Sequence, residues 1–130
     1  MTRRPVCRLL PMLFALLPGY RAEAHHSWTT DYDQSQILRL EGEVRSVEFK
    51  NPHSFVHVDV EGREGRVTWS VELHSDTVLT RMGFTRDTFR VGGVVTINAW
   101  SNRDPRVRVV YGIGVLTDEG VSLGESPPEP

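Results

Sequence analysis

Residues 54–74 alternate apolar and polar side chains in two consecutive runs, and that alternation limits the possible folds more than any other feature. Val56, Val58 and Val60 interleave with Phe55, His57 and Asp59. Val67, Trp69, Val71 and Leu73 interleave with Thr68, Ser70, Glu72 and His74. A period of two, rich in β-branched and aromatic residues, is the pattern of a strand with one buried face. Glu61-Gly62-Arg63-Glu64-Gly65 joins the runs, and its two glycines supply the positive φ that a tight reversal needs. One register gives a continuous apolar face: Val60 opposite Val67, Val58 opposite Trp69, Val56 opposite Val71. It also sets His57 against Ser70, Phe55 against Glu72 and His53 against His74. A slip of one residue would pair apolar with polar positions throughout. Opposed residues have Cβ atoms about 4.5–5.5 Å apart, close enough for His53 and His74 to share one metal ion.

Residues 1–24 are expected to be a signal peptide and not part of the fold. Arg3, Arg4 and Arg8 precede a short apolar run from Leu9 to Leu17, too short to span a bilayer. Pro18-Gly19 breaks the run, and Ala22-Glu23-Ala24 offers a cleavage site. Pro5 after Arg3-Arg4 fits the general secretory route better than the twin-arginine one. Cys7 lies upstream of the apolar run, where it is not a lipid-anchor site. The expectation is a periplasmic protein with no membrane attachment once the leader is removed. From His25 onward there is no cysteine, so no disulfide can form. In the same span 11 basic residues face 16 acidic ones, a net charge of −5 with neutral histidines. Without a basic field to draw phosphate, a nucleic-acid partner is excluded.

The remaining pattern gives the order of elements. Residues 25–36 are polar and read as an N-terminal arm. Ile37 to Phe49 alternates, but Leu38, Leu40 and Val44 share one parity while Val47 and Phe49 take the other. That switch near Arg45-Ser46 predicts a β-bulge in a long bent strand, eased by Gly42. Asn51-Pro52 marks a turn. Ser75 to Gly83 is the one helical candidate, with Ser75 or Asp76 as cap, Val78, Leu79 and Met82 at helical spacing, and Gly83 to end it. Thr85–Phe89 is a second short turn. Strands follow at 94–100 and 107–116, and a flexible tail occupies 119–130. Three strands, a short helix and two strands predict an all-β domain over residues 37–118: a five-stranded OB-like barrel, with an open five-stranded sheet carrying one helix as the alternative.

Ordered motifs carry a family resemblance. His25-His26-Ser27 follows the Ala-x-Ala site. Leu40-x-Gly42-x-Val44, Val47-Glu48-Phe49-x-Asn51-Pro52-His53, Trp69-x-x-Glu72 and Arg81-x-Gly83-Phe84-Thr85-Arg86-Asp87 come after it. In these the chain resembles the bacterial exported family catalogued as domain of unknown function 6152. The resemblance implies a small exported OB-like domain with no established activity. It matches the family's polar positions at His25, His26, Asn51, His53 and Glu72, whereas His57 and His74 depart from the family pattern.

The chemistry-bearing candidates are imidazoles. Cleavage after Ala24 would give His25 an α-amine and a ring nitrogen that chelate one ion together, as in a histidine brace. Cleavage after Ala22 would instead place His25 third, also a Cu(II)- or Ni(II)-chelating arrangement. Amine and imidazole donors without thiolate suit Cu(II), Ni(II) or Zn(II), and protonation of the amine weakens such binding in acid. His26 and His53 are further imidazole ligands. Glu72 and His74 complete the candidate metal set, Glu72 as a ligand or as the acceptor that orients an imidazole. The plain alternatives are a solvated N-terminus, a His53 that holds its corner by a backbone hydrogen bond, and a surface Glu72 paired with Arg81 or Arg86. His57 is expected to be an exposed strand residue, and Trp69 a core residue. There is no nucleophile elbow, phosphate-binding glycine loop or mature cysteine, so the chain is not expected to be an enzyme. The expected function is transition-metal binding, Cu(II) first and Zn(II) or Ni(II) as alternatives, with a periplasmic partner protein as a possible recipient. The alternative is a metal-free OB-like module that docks a protein or ligand.

Overall fold

The alternating runs form strands β2 (Ser54–Gly62) and β3 (Gly65–Leu73) in a computed structural model that describes residues 31–63 and 65–124. Their register is the one the apolar pattern requires: Val60 faces Val67, Val58 faces Trp69, Val56 faces Val71, His57 faces Ser70 and Phe55 faces Glu72. The ladder ends at Ser54 opposite Leu73, one residue short of His53 and His74. The signal peptide, His25, His26 and residues 125–130 lie outside the described residues.

Strand β1 (Tyr32–Glu48) is long because it serves two neighbours. Its first part pairs with β4 (Val94–Asn102) from Tyr32 to Glu43, and its last part pairs with β2 from Glu43 to Glu48. The register shifts between Val44 and Ser46, where the apolar parity changes. Backbone groups left over at this bulge are not wasted: Val44 N donates to Gly93 O and Gly92 N donates to Val44 O, both at 2.8 Å. Gly42 has a more specific role than general ease of bending. A Cβ there would stand 2.4 Å from the Asp59 carbonyl oxygen, so β2 approaches β1 too closely for any side chain.

Helix α1 (Asp76–Arg81) is capped by Ser75, whose hydroxyl accepts from Val78 N, and the chain leaves it through Gly83 at φ +88°. Leu79 on its inner face is fully buried, and Phe84 and Phe89 follow it into the core on either side of a 3-10 turn at Arg86–Thr88. Phe89 packs against both Phe49 and Phe84. Each such buried side chain contributes roughly 1.5–3 kcal/mol.

The sheet runs β3-β2-β1-β4-β5-β6, where β5 is Val109–Thr117 and β6 is Ser122–Gly124. All of these pairings are antiparallel. A parallel contact between β3 and β5, from Ser70 opposite Val109 to Glu72 opposite Tyr111, turns the sheet back on itself like a ring. Buried residues from every strand, among them Leu40, Val56, Val71, Ile97, Val110 and Leu123, fill its interior with Leu79, Phe84 and Phe89.

Three boundaries differ from the sequence expectation. β1 begins at Tyr32, not Ile37, so part of the expected arm belongs to the sheet. Its register shifts between Asp33 and Ile37, where Asp33 accepts from both the backbone and the hydroxyl of Ser35. That local turn breaks the period-two pattern and conceals the strand. The last long strand begins at Val109, because Val107 is drawn into a turn by its bond to Asp104 O. β6 lies within the expected tail. It buries only Leu123, too little for a period to register.

Candidate functional site

The corner between β1 and β2 is built by a serine. Ser54 is fully buried, and its hydroxyl donates to Lys50 O and accepts from Lys50 N, while its backbone N donates to His74 O. Asp76 N also donates to Lys50 O. The loop Lys50–Ser54 is thereby fastened to the end of β3 and the start of α1. The Asn51–Pro52 peptide within it is cis. His53 leaves this corner with its side chain one third exposed.

Glu72, on β3, is the centre of the site. Its side chain is 15 % exposed, and its Oε1 lies 2.6 Å from Nδ1 of His53. The approach is close but lacks the direction of a hydrogen bond, and among the described residues that buried nitrogen has no hydrogen-bond partner. The other carboxylate oxygen accepts from the hydroxyl of Tyr32. Glu72 is therefore not a surface carboxylate paired with Arg81 or Arg86; Arg86 donates to Phe49 O instead. Tyr32 is buried at 4 % exposure, and burial first, then its bond to Glu72, pushes the phenol above the ordinary tyrosine range.

A second aromatic tyrosine continues the cluster. The rings of Tyr32 and Tyr111 are 5.8 Å apart, and Tyr111 stacks on Trp100 at 5.6 Å. Burial, with the Glu72 charge adding to it, also raises the Tyr111 phenol. His74 meets the edge of Tyr111, and its Nδ1 lies 3.3 Å from the Tyr111 hydroxyl. Of the pair that the register set opposite each other, His53 thus engages Glu72 while His74 engages Tyr111.

His57 is only partly exposed, lying between Ser70 Oγ at 3.0 Å and Glu48 Oε1 at 2.9 Å. This cross-strand bridge makes it a sheet residue with both ring nitrogens engaged. Glu48 is held below the usual carboxylate range by its bond to Lys50, then by His57. Trp69 packs against the core from a partly buried position with the Arg108 guanidinium over its ring.

Among the described residues no three His, Cys, Asp or Glu side chains stand together as a metal set. His53 and Glu72 supply two donors; His25 and His26 lie outside the described residues. Sequence reasoning missed Tyr32 and Tyr111. The one available signal was Tyr32 itself, a lone large aromatic in a polar stretch between Asp31 and Asp33. A family model described as a family of unknown function (DUF6152) matches residues 15–110. No curated protein matches the chain.

Proposed function

The chain belongs to that family of unknown function, and we propose that it is an exported domain that binds Cu(II), with Zn(II) or Ni(II) as alternatives, through His25, His26 and His53 beside Glu72. The observation that carries this reading is the orphaned Nδ1 of His53, buried 2.6 Å from a carboxylate oxygen. Two donors held cis on one ion at about 2.0–2.1 Å sit roughly 3 Å apart, so this pair needs only a slight opening to take a metal. His74, the other imidazole of the candidate set, engages Tyr111.

The route of the N-terminal segment favours the same reading. Tyr32 is anchored on Glu72 itself, and His25 precedes Tyr32 by seven residues. Seven residues reach at most about 25 Å, so the site lies within the span of chain that joins His25 to Tyr32. If cleavage follows Ala24, the amine and imidazole of His25, the His53 imidazole and the Glu72 carboxylate make a set of nitrogen and oxygen donors suited to Cu(II). Tyr32 would act indirectly, by orienting Glu72. We read the ring of β1-β2-β3-β5-β4 closed by the β3–β5 contact as a small OB-like barrel, with β6 an added edge. The donor set fits a carrier or sensor, not an enzyme.

The test is a titration of the processed protein. Its N-terminal residue is read by mass, and Cu(II) is added to the wild type, His25→Ala and His53→Ala. The expected result is one ion bound more tightly than about 1 μM, weakened roughly 10–100-fold by either substitution. Tight binding untouched by both substitutions would move the site elsewhere. No binding at all would leave the metal-free interaction module.

A further inference from the structure

A recess of about 460 Å³ opens beside the 3-10 turn at Arg86–Thr88 and shares no lining residue with the His53–Glu72 site. Small-molecule sites measure about 300–1,000 Å³, so its size suits a small ligand. Val47, Phe89 and Val91 form its apolar lining, and Arg86, Asp87 and Arg90 form the rest. The turn that carries Arg86 and Asp87 is held in place. Thr88 Oγ accepts from Thr85 N at 3.0 Å, Phe89 N donates to Arg86 O at 3.3 Å, and the buried rings of Phe84 and Phe89 anchor it on either side.

The three charges of the recess are not alike. Arg90 is already engaged, with Asp118 at 3.0 Å and Glu119 at 3.6 Å. Arg86 spends one N–H on Phe49 O at 3.2 Å, and no carboxylate pairs with it among the described residues. The Asp87 carboxylate takes no hydrogen bond or ion pair among the described residues. Two neighbours of opposite sign therefore line one recess without pairing with each other. A guanidinium fixed along one edge by a carbonyl keeps its other N–H groups in the fork that matches a carboxylate.

We propose that this recess binds a free α-amino acid with an apolar side chain. Arg86 takes the α-carboxylate, Asp87 the α-ammonium, and Val47, Phe89 and Val91 receive the side chain. A simple anion would meet the Asp87 charge and a simple cation the Arg86 charge; a zwitterion answers both. Solvation by water would account for each exposed charge alone, but not for their sharing a recess with an apolar side. The site needs no metal and uses none of the candidate metal ligands, so it stands apart from the His53–Glu72 reading.

The probe is L-leucine, titrated calorimetrically into the processed protein with a chelator present, so that leucine bridged by a metal ion is not counted. One leucine per chain is expected, with a Kd below about 1 mM. N-acetyl-L-leucine lacks the ammonium, L-leucinamide lacks the carboxylate and glycine lacks the side chain. Each should bind roughly tenfold or more weakly than leucine. Asp87→Asn should lose roughly tenfold for leucine and nothing for N-acetyl-L-leucine, whereas Arg86→Gln should lose as much for leucine and nothing for L-leucinamide. Asp87→Asn disturbs no printed contact of the fold, so it carries the decision if Arg86→Gln, which also gives up the bond to Phe49 O, fails to fold. Unchanged leucine affinity in Asp87→Asn overturns the site, as does N-acetyl-L-leucine bound as tightly as leucine, or no binding of leucine at all. Loss of leucine binding in His25→Ala would place the ligand at the N-terminus and overturn it too.

Discussion

The hydroxyl of Tyr32, near the start of β1, donates to the carboxylate of Glu72 near the end of β3, 40 residues along the chain. This one bond ties the start of the sheet to the strand that closes it, and it leaves Glu72 with one oxygen for Tyr32 and the other against His53.

Tyr32→Phe tests that tie. The ring stays, but the buried carboxylate oxygen loses its donor. A buried acceptor left unpaired costs about 1–3 kcal/mol, and somewhat more when it is charged. Chemical denaturation should show a loss of that size, and each kcal/mol should lower the melting midpoint by about 4–8 °C in a domain of this size. A loss of only a few tenths of a kcal/mol would mean that water replaces the hydroxyl and the bond contributes nothing net.

Alkaline titration should report the same cluster. Tyr20 lies in the expected leader, so Tyr32 and Tyr111 are the tyrosines of the processed chain. Both phenols are raised by burial, so the folded state holds their protons more tightly than the unfolded chain does. Their stabilising effect is complete below the unfolded value of about 10 and is lost as pH rises beyond it. Phenolate absorbance should therefore appear together with unfolding. Two phenols ionising near pH 10 in a protein that keeps its circular dichroism would contradict the burial of this cluster.

Gly42→Ala should be among the most damaging single-methyl additions. Its Cβ would meet a backbone oxygen of β2 at 2.4 Å and Val58 Cγ1 at 2.7 Å, and backbone cannot rotate aside as a flexible side chain can. The strain should reach or exceed the upper end of the roughly 1–3 kcal/mol typical of overpacking. Equilibrium unfolding of this variant beside Gly62→Ala, where the nearest contact is 3.3 Å, separates close approach from ordinary loss of glycine freedom. Equal stability of the two would refute the close approach.

The acid limb of stability should trace to carboxylates held by partners on the sheet. Asp59 is held below its usual range by the Thr68 hydroxyl, at 2.6 Å, and by Arg45. Glu48 is lowered by Lys50 and His57. Groups with depressed values stabilise the fold above their unfolded values of about 4, and lose that contribution as pH falls through the folded values. Asp59→Asn should therefore flatten the decline in stability below about pH 4. An unchanged acid slope would show that Asp59 ionises alike in both states.

What could be read along the chain was whatever local stereochemistry governs. The β2–β3 register followed from alternation, because side chains point to opposite faces of a strand and only one pairing buries all the valines. The bulge at Val44–Ser46, the Ser75 cap and the Gly83 exit followed for similar reasons, each being decided within a few residues. Tertiary closure decided the rest. The β3–β5 contact sets Glu72 against Tyr111, the β1–β4 pairing carries Tyr32 to its place, and the Ser54 corner aims His53 at the carboxylate. His53 and His74, opposite by register, separate once the ladder stops, because each finds a stronger partner from a strand or loop that no local pattern identifies. Periodicity reports which face of an element is buried; which side chains meet there depends on how distant elements come together.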